Sequence, residues 1–276
     1  MNRRTMLLTG AAGGMGRACA RLLGATHDLL LTDVSAAALD AFAGELTAEG
    51  YAVIGARAGD LGDAALLGTL AEEVAGRNGP LTLVHTAGLS PSLADARAIM
   101  TVNLVATTAL LDALEPVLRP GSTAVLIAST AGHVLPPVPD VQALTDAPLA
   151  AGFLDAIGAL IEGMAGGERS AAAGLAYCFS KQAVLRMVEQ RAGRWGRAGG
   201  RIVSISPGLI LTPMGRSELA GTPGAAQVRD SAPAGRPGRA IDIALAVQFL
   251  ASDAAAFITG TDMRIDGGSV AAMRFP

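Results

Sequence analysis

Tyr177 and Lys181 are the two residues whose types and spacing point most directly to chemistry. On a helix, a separation of four stacks a phenol and an ammonium one turn apart on the same face. A phenol titrates near ~10 when unperturbed, and a fixed cation beside it stabilises the phenolate and draws that value toward neutral pH. The pair reads as an acid/base with its own activator. Of the 21 basic residues 20 are arginine, and the single lysine is Lys181, four positions after one of only two tyrosines. A bias toward arginine explains the scarcity of lysine but not the place of the survivor, where a compact flexible cation serves and a planar guanidinium does not. Tyr-x-x-x-Lys also arises by chance on amphipathic helices, so its weight depends on what surrounds it.

A second constellation lies at the start of the chain. Thr5 to Thr9 reads as a short buried strand running into Gly10-Ala11-Ala12-Gly13-Gly14-Met15-Gly16 and then a helical pattern from Arg17 to Leu23. Strand, glycine loop and helix is the order a dinucleotide site requires: glycines let backbone approach a pyrophosphate, and a helix N-terminus aims its N–H groups at it. Gly10, Gly14, Met15 and Gly16 are therefore candidate cofactor residues. Asp28 to Thr32 reads as a second strand ending at Asp33, which lies 23 residues past Gly10 (33 − 10), near the ~20-residue spacing at which a carboxylate meets the adenosine ribose. Such a carboxylate accepts from both ribose hydroxyls and repels a 2′-phosphate, and no arginine stands at Gly13 or Val34 to offset it, so NAD is expected as cofactor. Asp33 is equally suited to a turn or helix cap before Ser35.

The elements that must position these residues alternate along the chain. Helix is expected over Ser35–Glu49, strand over Tyr51–Ala56, helix over Asp63–Gly76 and a central buried strand over Leu81–His85, an alternation that predicts a parallel sheet covered on both faces. Asp60 and Leu61 fall in the loop after the third strand, where they could hold the adenine amino group; Asp60 suits an Asx-turn as well. Small residues after His85 make Ala87 and Gly88 candidate ribose neighbours, whereas His85 itself reads as a buried structural histidine. One long helix is expected from Ala96 to Leu118, carrying Asn103 among apolar neighbours, where its amide must find backbone or water partners near the site unless it lies on the helix surface. A strand over Ala124–Ala128 ends at Ser129, at the carboxyl edge where such sheets bind ligands. Residues 133–170 read as an inserted helical subregion centred on Ala150 to Met164, and Gly174–Arg194 as the helix carrying Tyr177 and Lys181. After a strand over Arg201–Ser206, Pro207-Gly208 breaks the pattern, and residues 212–233 read as an irregular, mobile substrate flap. A helix over Arg239–Ser252 and a short strand over Asp262–Asp266 complete the chain.

Composition narrows the function class. The 276 residues are 51% hydrophobic but only 3% aromatic, with 35 glycines, which suits close helix-on-sheet packing by small side chains in one large domain. A net charge of −3, with arginines scattered along the chain, gives no footprint for nucleic acid or an anionic membrane. The two cysteines, Cys19 and Cys178, lack disulfide or metal spacing, and no metal is expected. No run of spanning length is free of charges or turn residues, and a soluble, cytoplasmic protein is the expectation.

Taken together, Thr9-Gly10-x-x-x-Gly14-x-Gly16, Asp33, Asn103, Ser129, Tyr177-x-x-x-Lys181 and Pro207-Gly208 through Met214 resemble the short-chain dehydrogenase/reductase family over nearly the whole chain. The resemblance implies one doubly wound Rossmann-type domain of about seven parallel strands and hydride transfer between NAD(P) and an alcohol or carbonyl. It also implies roles: Tyr177 as acid/base, Lys181 as its activator and a ligand of the nicotinamide ribose, Ser129 on the substrate oxygen, Asn103 on a proton-relay water, Thr212 on the nicotinamide carboxamide, with Pro207, Gly208, Ile210 and Met214 lining the cofactor. Three departures stand out. Ser129 and Tyr177 are 48 residues apart (177 − 129), His85-Thr86-Ala87-Gly88 replaces the common Asn-Asn-Ala-Gly, and Ala128 stands where a second serine is frequent. The long insertion, Gly174-Leu175-Ala176-Tyr177 and the Met273-Arg274 tail are similar to the bacterial 3α-hydroxysteroid dehydrogenase/carbonyl reductase branch, in which the insertion accompanies an altered subunit interface. A homo-oligomer, dimer or tetramer, is expected on the same ground.

The function expected is NAD-dependent, reversible oxidation of a bulky hydrophobic secondary alcohol, a hydroxysteroid or terpenoid among the options, with Val134, Leu135, Val138, Phe153 and Met214 as apolar walls. Packing of the inserted helix on the body is the plainer use of those side chains. Two alternatives stay open: a sensor or scaffold that binds NAD(H) without turnover, and a reductase of the same fold for small polar substrates such as sugars.

Overall fold

A computed structural model of the chain describes residues 3–221 and 232–275. Seven strands alternate with helices: β1 (Arg4–Thr9), α1 (Gly14–Leu23), β2 (His27–Asp33), α2 (Ala36–Ala48), β3 (Val53–Ala58), α3 (Ala64–Ala75) and β4 (Leu81–His85) form the first half. In the second half come α4 (Ala96–Met100), α5 (Thr107–Leu114), β5 (Thr123–Ile127), α6 (Pro139–Thr145), α7 (Phe153–Ala165), α8 (Arg169–Arg197), β6 (Arg201–Pro207), α9 (Pro213–Gly221), α10 (Ala240–Ala251), β7 (Thr261–Ile265) and α11 (Ser269–Arg274). All strand pairs are parallel, in the order β3-β2-β1-β4-β5-β6-β7. The order reverses between β1 and β4, which opens a crevice at the carboxyl ends of those two strands.

Period-two alternation sorts the strand residues onto two faces. Leu7, Leu30, Leu83, Leu126 and Ile202 point into a core shared with α3, α5, α7 and α8. Met6, Leu8, Leu31, Val84, Val125 and Ile205 point to the opposite core, shared with α1, α2 and α10. Helix starts follow side-chain capping: the Ser35 hydroxyl accepts from the Ala38 amide at 3.4 Å, and the Asp63 and Asp95 carboxylates accept from Ala65 and Ala98 at 2.9 and 2.8 Å.

Three stretches differ from the sequence expectation. Residues 96–117 do not form one continuous α-helix: a π-helical turn over Thr101–Ala106 separates α4 from α5, and a 3-10 turn closes the run at Glu115–Val117. This stretch is long and apolar enough by composition to cross a membrane, yet 56% of it is buried inside the fold. The insertion is two helices, α6 and α7, the second bounded by Gly152 and Gly166, both left-handed (φ 78 and 62). Val141, Phe153, Ile157 and Ile161 are buried in one core with Ala172, Ala173 and Ala176 of α8, and Arg186 of the same helix pairs with Asp146 at the end of α6, which fixes the insertion on that helix. The expected flap is not irregular at its start, because α9 is helical from Pro213 to Gly221. Its continuation over 222–231 lies outside the described residues.

Candidate active site

β1 delivers the glycine loop to the crevice. Gly10 is left-handed (φ 63), and a β-carbon there would come within 2.7 Å of the Ala87 amide nitrogen. A β-carbon on Gly16 would strike the Gly10 carbonyl, so only glycine lets α1 approach the strand this closely. Gly13 caps α1 in extended conformation, leaving the first-turn amides of Gly14, Met15 and Gly16 facing the loop. Thr212 lies over the cradle: a β-carbon on Gly14 would come within 2.7 Å of its methyl group. The Met15 side chain packs, partly buried, against the core shared by α1 and α10.

Asp33 closes β2 beside the loop, its carboxylate accepting from the Ala12 amide at 3.0 Å and from the Ser35 amide at 3.1 Å. The turn-forming role and the place at the cofactor loop are thus filled by one side chain. Arg17, the basic residue nearest the loop, is tied down: its Nε donates to the Ala12 carbonyl at 3.1 Å, it pairs with Glu45 at 2.9 Å, and its guanidinium lies 4.4 Å from the Phe42 ring centre. Arg57 on β3 is paired with Glu73.

On the other side of the crevice α8 carries Tyr177 and Lys181, with Lys181 Nζ 5.7 Å from the centre of the Tyr177 ring. Lys181 is buried, and its Nζ donates to the Ile127 carbonyl at 2.9 Å, at the end of β5. A β-carbon on Gly88 would sit 3.6 Å from the same Nζ and 3.2 Å from Asn103 Oδ1. Gly88, Asn103 and Lys181 therefore meet at one point. The turn that begins at Ser129 presses on α8 as well, since a β-carbon on Gly132 would come within 2.9 Å of the Lys181 carbonyl carbon. Ser129 Oγ accepts from the Ala131 amide at 3.1 Å.

Asn103 is buried on the π-helical turn. Its Oδ1 accepts from the Leu89 amide at 2.8 Å, and its Nδ2 donates to the Leu89 carbonyl at 2.9 Å and to Ser180 Oγ at 3.3 Å. The side chain holds the loop after β4 against α8. The turn shapes the Asn103 backbone: the Thr107 amide donates to Leu104, while the Thr107 hydroxyl donates to the Asn103 carbonyl at 2.9 Å.

Asp60 accepts from the Gly62 amide at 2.8 Å in an Asx-turn, next to Gly59, whose amide donates to the Asp33 carbonyl at 3.0 Å, and the Leu61 side chain is buried in the core. Pro207 pairs with Ile265 of β7, Gly208 donates to the Ile265 carbonyl at 3.1 Å, and Ile210 bridges to Gly238. Ile210 lines a cavity of about 310 Å³ together with Leu245 and Asp266, on the α10 side of the sheet. Thr212, with Pro213 beside it, returns to the glycine loop, and Met214 is half-buried on α9. Phe153 is buried in the α7–α8 core, and Leu135 and Val138 pack partly buried against it, so they serve the insertion; Val134 is half exposed. His85 is the buried, hydrogen-bonded histidine expected from sequence; what the sequence did not show is its partners, with Nδ1 2.7 Å from Thr9 Oγ1 and Nε2 2.8 Å from Thr107 Oγ1. Among the described residues, no three of His, Cys, Asp and Glu meet in a way that could hold a metal ion.

The short chain dehydrogenase family model matches residues 4–140, and the Enoyl-(Acyl carrier protein) reductase model matches residues 157–270. The chain is 32% identical to the 3-alpha-hydroxysteroid dehydrogenase/carbonyl reductase of Comamonas testosteroni, over 98% of this chain and 97% of that protein. It belongs to the short-chain dehydrogenase/reductase family. This oxidoreductase is equally 32% identical to the D-threitol dehydrogenase of Mycolicibacterium smegmatis, over 97% of this chain and 93% of that protein. It superposes on the structure of the 3-alpha-hydroxysteroid dehydrogenase from Pseudomonas sp. B-0831 complexed with NADH with a TM-score of 0.76, at 27% identity and with 98% of each chain covered.

Proposed function

We propose that this short-chain dehydrogenase/reductase transfers a hydride between NAD(H) and a bulky hydrophobic secondary alcohol or ketone. One observation carries the reading: Lys181 Nζ, one turn from Tyr177, sits beside Gly88 and 2.9 Å from the Ile127 carbonyl, at the carboxyl ends of β4 and β5. The bound nicotinamide supplies the hydride acceptor or donor. Tyr177 as phenolate takes the alcohol proton while the carbinol C–H is broken, and returns a proton to the alkoxide in the reverse direction. The Lys181 ammonium stabilises the phenolate charge and reaches the nicotinamide ribose. Ser129 donates its hydroxyl hydrogen to the substrate oxygen, an interaction strongest as negative charge develops there. Gly10, Gly14 and Gly16 with the first turn of α1 cradle the pyrophosphate, Ala87 and Gly88 flank a ribose, and Thr212 meets the carboxamide.

NAD is favoured over NADP by the Asp33 carboxylate beside the loop and by the engagement of Arg17 and Arg57 with Glu45 and Glu73, which leaves neither guanidinium for a 2′-phosphate. The hydrophobic substrate class is supported by similarity to the Comamonas enzyme and by exposed Val134 and half-buried Met214. A second reading, a small polyol substrate, has the equal identity to D-threitol dehydrogenase in its favour. Formation of NADH or NADPH is measured with sterols, terpenols, aryl alcohols and polyols. The proposal expects kcat/KM with NAD to exceed that with NADP by about tenfold or more, a ~1.4 kcal/mol preference, and hydrophobic alcohols to outrank polyols. NADH binding without turnover on any of them means a sensor instead.

A further inference from the structure

His85 is buried at the centre of the molecule, a group the mechanism above does not use. Its neighbours fix the direction of every hydrogen bond around it. The Thr107 hydroxyl spends its hydrogen on the Asn103 carbonyl at 2.9 Å, so at 2.8 Å it can only accept, and His85 Nε2 carries the proton. His85 Nδ1 is then an acceptor, and the Thr9 hydroxyl donates to it at 2.7 Å while accepting from the Ala87 amide at 3.4 Å. The chain therefore runs one way: Ala87 amide, Thr9, His85, Thr107, Asn103 carbonyl. Its first members lie where β1 enters the glycine loop, and its last is the π-helical turn whose Asn103 side chain grips Leu89 and Ser180.

We propose that His85 is a positioning residue that locks the root of the glycine loop to the Asn103 carbonyl, setting the distance between the dinucleotide cradle and the Tyr177–Lys181 pair. An imidazole is suited to this because it presents one donor and one acceptor on opposite edges of a rigid ring. Burial, with the Lys181 ammonium adding to it, pushes the His85 pKa down to about 3, so the polarity of the chain is kept at any working pH. The proposal rests on the dehydrogenase reading for its kinetic consequence but not for its structural one.

The structural part is tested on the protein without cofactor by long-range proton–nitrogen NMR of the imidazoles. One of the three histidines should be the neutral Nε2–H tautomer across the accessible pH range, and its signals should vanish in His85→Gln. An Nδ1–H tautomer, or protonation near the ordinary value, overturns it. The functional part compares His85→Leu, His85→Gln and Thr107→Val. His85→Leu and Thr107→Val should lower kcat about tenfold and weaken NADH binding about fivefold, with KM for the alcohol unchanged, and His85→Gln should recover much of both. If His85→Leu does not fold, Thr107→Val decides. Folded variants with unchanged NADH affinity and kcat overturn the proposal. Absence of alcohol turnover in the unmodified protein overturns only the dehydrogenase reading, and NADH affinity then decides alone.

Discussion

At the scale of single residues, the site places one ionisable hydroxyl and one ammonium on a common helix face, and the outcome of removing either is specific. Tyr177→Phe should lower kcat by about 10²-fold or more while circular dichroism and NADH affinity stay as they are, since the ring is kept and only the proton carrier is lost. Asp33→Ser should lower kcat/KM for NAD by about tenfold and narrow the gap to NADP. It should also loosen the loop, because the Asp33 carboxylate holds the Ala12 amide. The Tyr177–Lys181 pair and Asp33 were readable in the sequence because each depends on local spacing: four residues on a helix, or a strand end a fixed distance past a glycine turn. The hydrogen bonds of His85 were not. They join residues 76 and 22 positions away, Thr9 and Thr107, which only the strand order brings together. For the same reason nothing local indicated that Thr212 would lie over Gly14, whereas Ile210 and Gly208 turn toward α10 and β7.

At the scale of elements, the seven strands and most of the longer helices came through because burial writes period-two and period-3.6 patterns into the sequence. The π-helical turn at Thr101–Ala106 did not, since one residue's worth of extra backbone leaves composition and apolar spacing almost unchanged. α9 was hidden by its glycine and proline content, which reads as loop. The insertion makes its own prediction. α7 buries Ile157 fully in the core it shares with α8, so Ile157→Ala should cost about 2–5 kcal/mol of stability by urea titration. The turnover of the molecules that remain folded should change little, because the α8 alanines in the core shared with α7, Ala172, Ala173 and Ala176, precede Tyr177, and Lys181 Nζ is held separately by the Ile127 carbonyl. A fall in kcat larger than about tenfold at constant folded fraction would show that the insertion sets the alignment of Tyr177.

At the scale of the whole molecule, the sheet carries two buried histidines whose charged forms burial disfavours. Burial lowers the pKa of His27 from its ordinary 6.5 and lowers that of His85 to about 3. The unfolded chain takes up a proton on each below about 6.5, so their contribution is complete above that pH and is lost as pH falls through the interval toward the folded values. Stability by urea titration should decline on the order of 1 kcal/mol per pH unit through His85 between about pH 6.5 and 4.5, with His27 acting in the same direction. His85→Gln should remove one of the two contributions to that slope. Carboxylates paired with arginine, such as Asp242 beside Arg236, held at about 2, act only at lower pH. The burial of Lys181 has a practical consequence of another kind. Lys181 is the chain's one lysine, so acylating reagents meet no lysine amine on the folded surface. The fraction of molecules that gain an acyl group at Lys181, read by mass spectrometry, is a one-channel gauge of how often the cleft opens, and a bound dinucleotide should slow it.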